Sequence, residues 1–206
     1  MDKNLMDYLH QQIIPKYKNL DAAHQIDHVE QVIHDALFIA RSHHVDLDMV
    51  YVIACFHDLG LLVDRKSHHL IGGKMLEDDL MIQSYFREEN IKIMKEAIED
   101  HRASIEYPPR SIYGKIIAEA DRNLDPMTIL KRTIQYGLKH SNELSKEAQL
   151  KRAYDHILEK YGPHGYLKLW LRTEQNERGL QKIHMLLENK SHLLDILNQI
   201  YDEIEK

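Results

Sequence analysis

The dipeptide His57-Asp58 closes an apolar run, Val50-Tyr-Val-Ile-Ala-Cys-Phe. An unpaired carboxylate in such a run costs about several kcal/mol to bury, so it needs a partner. A metal ion suits both residue types. Other ligand-type residues are spread along the chain: His28 upstream, then His68 or His69, His101 and Asp121 downstream. Adjacent side chains on a helix diverge by about 100°, but His57 and Asp58 can still grip one ion lying against a helix end. With His28 and Asp121 they make a four-ligand set that leaves positions for water and substrate. An open set of that kind is a mark of catalysis. The ion would acidify a bound water and polarise a phosphoryl oxygen. Imidazole and carboxylate ligands suit Mn, Fe, Zn, Ni, Co or Mg better than Ca.

His68 and His101 exceed the needs of one ion. They could hold a second, bridged by Asp58, or act as proton donors. Asp58, His68 and His101 are therefore the expected catalytic group, with His68 and His69 close rivals for one place. His24, one turn before His28, is expected to face substrate rather than metal. His24 and His28 have the spacing of a zinc protease, but Gln25 stands where that chemistry needs Glu. Of the nearby cations Arg65, Lys66, Lys74, Arg102, Lys115 and Arg122, only Arg102 and Lys115 are expected to meet a substrate phosphate. The rest, and the acidic run Glu77-Asp78-Asp79, read as exposed surface.

These residues need helices to position them. Apolar residues recur at helical spacing almost throughout, and no period-2 strand stands out. A first helix is expected over 2–18, kinked or ended near Ile14 by Pro15. Others are expected over 25–44, 47–58 after an Asp46 cap, 67–84, 88–102 and 111–123. Another begins at Asp125-Pro126, followed by 143–160, a short piece after Gly162-Pro163, and a long helix over 173–204 capped by Thr173. The class is all-α. The ligands then project inward from the second to sixth helices or their ends, as in metal-binding bundles.

Composition bounds the partners. The chain has 206 residues, 43% hydrophobic and 29% charged, which suits one soluble domain. A single domain over 1–206 is expected, with a metal-binding core at about 20–125 and helical extensions over about 141–206. The formal net charge of −6 speaks against nucleic acid as a main partner. Cys55 is the lone cysteine, so an internal disulfide and a cysteine-based zinc site are excluded. No apolar stretch reaches membrane-spanning length, so a cytoplasmic setting is expected.

Five stretches carry a family resemblance: His24-Gln-Ile-Asp-His28-Val-Glu-Gln-Val, Ala54-Cys-Phe-His57-Asp58-Leu-Gly, His68-His-Leu-Ile-Gly-Gly-Lys, Ile98-Glu-Asp-His101-Arg and Lys115-Ile-Ile-Ala-Glu-Ala-Asp121-Arg. In order and spacing the chain resembles the HD-domain metal-dependent phosphohydrolases over about 20–125. The segment from Leu171 to Leu180 is similar to a helix that closes the small bacterial members. The resemblance implies a helical HD bundle and a divalent metal at His28, His57, Asp58 and Asp121. It also implies hydrolysis of phosphate esters, often nucleotides. The extra histidines resemble subfamilies that bind two metals. The chain departs from the family at Gln31, where Arg is common, and in Glu119-Ala-Asp-Arg-Asn-Leu-Asp, where Asp-Ala-Asp-Arg-Leu-Asp is common.

The expected function is a metal-dependent phosphohydrolase acting on a small phosphorylated substrate such as a nucleotide through a metal-activated water. A dinuclear hydrolase or oxygenase is the nearest rival. From another class, a non-catalytic metal-stabilised sensor or interaction module fits the same residues. The native metal, the number of ions, the substrate and a homodimeric state stay open on sequence alone.

Overall fold

The protein is described by a computed structural model covering residues 2–21 and 24–205. Among these residues there are eleven α-helices and no strand, the all-α class expected. The chain divides after Arg122 into two compact units.

The first unit opens with α1 (Lys3–Tyr8), capped by the Asp2 carboxylate, which accepts from the amides of Asn4 and Leu5. The turns then widen to π type over Leu9–Ile13 and tighten to 3-10 type over Ile14–Asn19. The expected break near Ile14 is thus a change of bonding pattern within a continuing helical arm. Pro15 lacks an N–H and its ring crowds the carbonyl four residues back, so a regular ladder cannot run through it. Leu5, Leu9, Ile13, Ile14 and Tyr17 of this arm are all buried.

Helix α2 (Ile26–Ala40) buries the stripe Val29, Val32, Ile33, Ala36 and Ala40. Helix α3 (Leu47–Phe56) starts at Asp46, whose carboxylate accepts from the amides of Asp48 and Met49. Every α3 residue from Met49 to Phe56 is buried, so α3 is the core helix. A 3-10 turn over Leu59–Leu62 follows it. A Cβ on Gly60 would lie 2.0 Å from the His68 carbonyl oxygen. Only glycine lets this turn lie against the start of α4 (His68–Glu77).

The helix expected over 67–84 is two helices. Asp79 accepts from the amides of Met81 and Ile82 and so caps α5 (Leu80–Tyr85). The acidic run is accordingly not one exposed face. Glu77 pairs with Lys95 at 2.9 Å on α6 (Glu88–Glu99), while Asp79 caps a helix and accepts the Tyr8 hydroxyl. Helix α7 (Ile112–Ala120), capped by Ser111, completes the unit. Helices α2, α4, α6 and α7 all pack against α3.

In the second unit α8 (Pro126–His140), α9 (Lys146–Tyr161), α10 (Glu174–Glu188) and α11 (Lys190–Ile204) pack on one another. The long helix expected over 173–204 is broken at Asn189, whose side chain accepts the His192 amide and caps α11. Residues after Gly162-Pro163 form turns rather than the expected short helix. Among the described residues no helix is long and apolar enough to cross a membrane.

Candidate metal centre

All six ligand-type residues lie in the first unit, and all lie at or near helix ends. His28 is in the first turn of α2. His57 is the C-cap of α3, and Asp58 follows it. His68 opens α4, His101 lies just past α6, and Asp121 is the C-cap of α7. Three helix C-termini therefore meet here. Their unpaired carbonyl dipoles favour a cation.

The side chains fall into two groups that share Asp58. His28, His57, Asp58 and Asp121 form one; Asp58, His68 and His101 form the other. In the first group Nε2 of His28 lies 3.4 Å from Oδ2 of Asp58 and 3.4 Å from Oδ1 of Asp121. Nε2 of His57 lies 3.3 Å from Oδ2 of Asp58 and 3.3 Å from Nε2 of His28. In the second group Oδ1 of Asp58 faces Nε2 of His101 at 3.4 Å and Nε2 of His68 at 3.6 Å. Nε2 of His68 and Nε2 of His101 are 3.3 Å apart. Each Asp58 oxygen thus serves a different histidine pair.

The histidine tautomers decide what this arrangement can hold. Nδ1 of His57 is 2.8 Å from the Ala54 carbonyl, and Nδ1 of His68 is 2.8 Å from the Arg65 carbonyl. Nδ1 of His101 is 2.6 Å from the Ile98 carbonyl. A carbonyl only accepts, so each Nδ1 carries the proton and donates. Each Nε2 then offers a lone pair to the cluster, the arrangement metal-bound histidines adopt. His68 and His101 point two such lone pairs at each other across 3.3 Å, a juxtaposition that a cation between them relieves. The spacings of the first group, 3.3–3.9 Å, let its donor atoms converge on one ion. The donor set fits a metal site built around Asp58.

Residues 26–124 match the family model described as the HD domain. This stretch of the chain is an HD domain. Among solved structures the chain is similar to a predicted HD superfamily hydrolase from an uncultured Thermotogales bacterium. The two share 25% identity over 74% of this chain and 83% of that one, with a TM-score of 0.48. No curated protein matches the chain.

His68, not His69, joins the cluster. His24 stays outside both groups: its Nδ1 lies 2.7 Å from Asp21 and its ring stands edge-on to His28, centroids 5.6 Å apart. Arg102 donates from Nη1 to the Lys66 carbonyl at 2.8 Å, bridging the loops that carry His68 and His101. Lys115 is half-buried on α7, about 120° around the helix from Asp121 by helical geometry. Arg122, read as exposed surface from sequence, is buried. Its two terminal nitrogens both donate to the His101 carbonyl at 3.1 Å. Its Nη1 also stands 3.7 Å from Asp121, the C-cap of α7.

Two bracing groups carry no local signal in the sequence. Tyr17 is fully buried under the His57-Asp58 peptide, with its hydroxyl 3.1 Å from the Cys55 carbonyl. Arg110 grips the buried Asp100 carboxylate, next to His101, through Nε and Nη2. A tyrosine in an apolar arm and an arginine after Pro108-Pro109 look like ordinary packing and ordinary loop.

Electrostatics separate the two groups. Burial pulls the His28 imidazole down, but the Asp121 and Asp58 carboxylates outweigh it and carry it up to about 10. Burial pushes Asp58 up, and the His57, His101 and His28 imidazoles overcome this, holding it well below the carboxylate range. His68 is pushed down to about 4 by burial and then by His101. Without metal, His28 therefore holds a proton at neutral pH, whereas His68 is neutral. An imidazole must shed that proton to ligate. Metal affinity should rise with pH, by about tenfold per unit for one displaced proton, until the His28 value is reached. Chelator competition at several pH values between 6 and 8 measures this. A pH-independent affinity would contradict the assignment of His28.

Proposed function

We propose that the protein is a metal-dependent phosphohydrolase with a two-ion centre bridged by Asp58, acting on a nucleotide or related small phosphate ester. The observation that carries this reading is the division of one buried carboxylate between two histidine pairs. His28, His57 and Asp121 would complete one ion site with Oδ2 of Asp58; His68 and His101 would complete the other with Oδ1. Bound divalent ions would supply an acidified water and polarise a phosphoryl oxygen. Mn, Fe, Zn, Ni or Co would suit such mixed oxygen and imidazole donors, and Mg the carboxylates alone.

The chain's own residues do the rest. Asp58 holds both sides of the centre in fixed relation. The Asp121 side chain is 21% exposed against 5% for Asp58, an opening through which solvent and substrate would reach the centre. That opening favours catalysis over a sealed sensor site. Arg102, half-buried beside His101, supplies positive charge where a phosphate would approach. His24, aligned by Asp21 at the edge of His28, offers its other ring nitrogen to the substrate. The lone, buried Cys55 fits a reducing, cytoplasmic setting.

The test is phosphate release from a panel of nucleoside mono-, di- and triphosphates by metal-loaded protein. Release from at least one member is expected. Arg102→Ala should lower turnover by about tenfold or more while metal content stays normal, as loss of one charge-assisted bond implies. Lys115→Ala should matter less. Full metal loading with no phosphate released from any substrate would favour the sensor reading instead.

A further inference from the structure

The centre leans on a residue outside the HD domain. Tyr17 lies on the N-terminal arm, ahead of residues 26–124. Its hydroxyl has one proton to give and two lone pairs to receive. The proton goes to the Cys55 carbonyl at 3.1 Å, and the oxygen accepts the Asp58 amide at 3.3 Å. The remaining lone pair faces Nδ1 of His57 at 3.5 Å, whose proton also reaches the Ala54 carbonyl at 2.8 Å. Every hydrogen-bonding capacity of the phenol is spent on the end of α3.

That end needs it. Helix α3 stops at Phe56, and Asp58 has left the helical path, with φ −106° and ψ 2°. Helix ends leave carbonyls and amides without helical partners, and a buried end must find them elsewhere. Here Tyr17 replaces water. Three ligand atoms hang from these two residues: Nε2 of His57 and both oxygens of Asp58. A shift of the 57–58 peptide therefore moves both halves of the centre together.

We infer that Tyr17 is a positioning residue for the metal centre, holding the His57-Asp58 peptide so that Asp58 is divided between the two histidine pairs. The inference rests on the proposed metal reading. It makes the arm a working part of the site, rather than packing alone. The arm is itself held by buried Leu9, Ile13 and Ile14 and by a 2.9 Å hydrogen bond between Tyr51 and His10.

The experiment compares Co(II) binding by wild type, Tyr17→Phe and Tyr51→Phe in the full chain, with folding checked by circular dichroism. Tyr51→Phe removes a hydroxyl that meets the same arm but lies away from the centre. Tyr17→Phe should weaken Co(II) binding about tenfold or more, the range seen when groups that orient ligands are lost, and should change the visible Co(II) spectrum. Tyr51→Phe should leave both unchanged. Should Tyr17→Phe not fold, 3,5-difluorotyrosine at position 17 keeps the ring and hydroxyl but weakens the oxygen as an acceptor. The Co(II) spectrum should then still shift. Wild-type affinity and spectrum in either position-17 variant would overturn the inference alone, as would an equal loss in Tyr51→Phe. A wild type that binds no Co(II) would overturn the metal reading and this inference with it.

Discussion

Asp58→Ala is expected to strip metal from both halves of the centre at once. Among the described residues its two oxygens are the carboxylate atoms that reach both histidine pairs, 3.3–3.4 Å from His57 and His28 and 3.4–3.6 Å from His101 and His68. Single histidine variants should behave differently. His28→Ala removes a ligand from one side, and His101→Ala from the other, so each should cost about one ion. Elemental analysis of protein purified without a histidine tag reads the pattern. Asp58→Ala should fall towards zero ions per chain and the histidine variants towards one. The substitution also leaves the His28 and His57 imidazoles without a carboxylate that raises both. Removing one partner of a buried pair typically costs about 3–5 kcal/mol, so the metal-free variant should melt well below the metal-free wild type. Full metal occupancy in Asp58→Ala would refute the bridging role.

Arg110→Ala is expected to be the most damaging change outside the metal ligands. The Asp100 carboxylate has no exposed surface, and Arg110 holds it in bidentate fashion, Nε at 3.0 Å and Nη2 at 2.8 Å. The Arg110 amide adds a bond at 2.7 Å, which alanine would keep. The guanidinium is 40% exposed, so the loss belongs at the low end for a broken buried pair, about 3 kcal/mol. For a chain of this length that is a fall of about 6–12 °C in Tm. Asp100 precedes His101, so the second ion should weaken as well. Lysine at 110 cannot present two parallel N–H groups and should recover only part of the loss. A Tm within 2 °C of wild type for Arg110→Ala would show that Asp100 is satisfied without it.

Both predictions bear on what is legible in the sequence. Histidines and aspartates in apolar surroundings announce themselves, because burying them without partners is costly. That is why His28, His57, Asp58, His101 and Asp121 stand out from residue type and spacing alone. Spacing to Gly72-Gly73 favours His68 over His69 only narrowly, since both begin the same helix, and the fold places His68 in the cluster. Bracing residues are illegible for a different reason. Tyr17, Arg110 and Arg122 act through main-chain carbonyls, amides and a buried carboxylate, and their partners lie far away in sequence or on the far side of a loop. Arg122 reads as surface because arginine usually is. Helix boundaries are misread where a cap interrupts strong periodicity, at Asp79 and Asn189: the side chain that ends one helix by capping the next looks like any polar residue in a stripe.

The most direct measurement is anomalous scattering from a crystal grown with excess Mn(II). Two peaks are expected, one beside Oδ2 of Asp58 among His28, His57 and Asp121, the other beside Oδ1 between His68 and His101. A single peak in the first position, with His68 and His101 free of metal, would contradict the two-ion centre. No peak within bonding distance of Asp58 would contradict the metal assignment altogether.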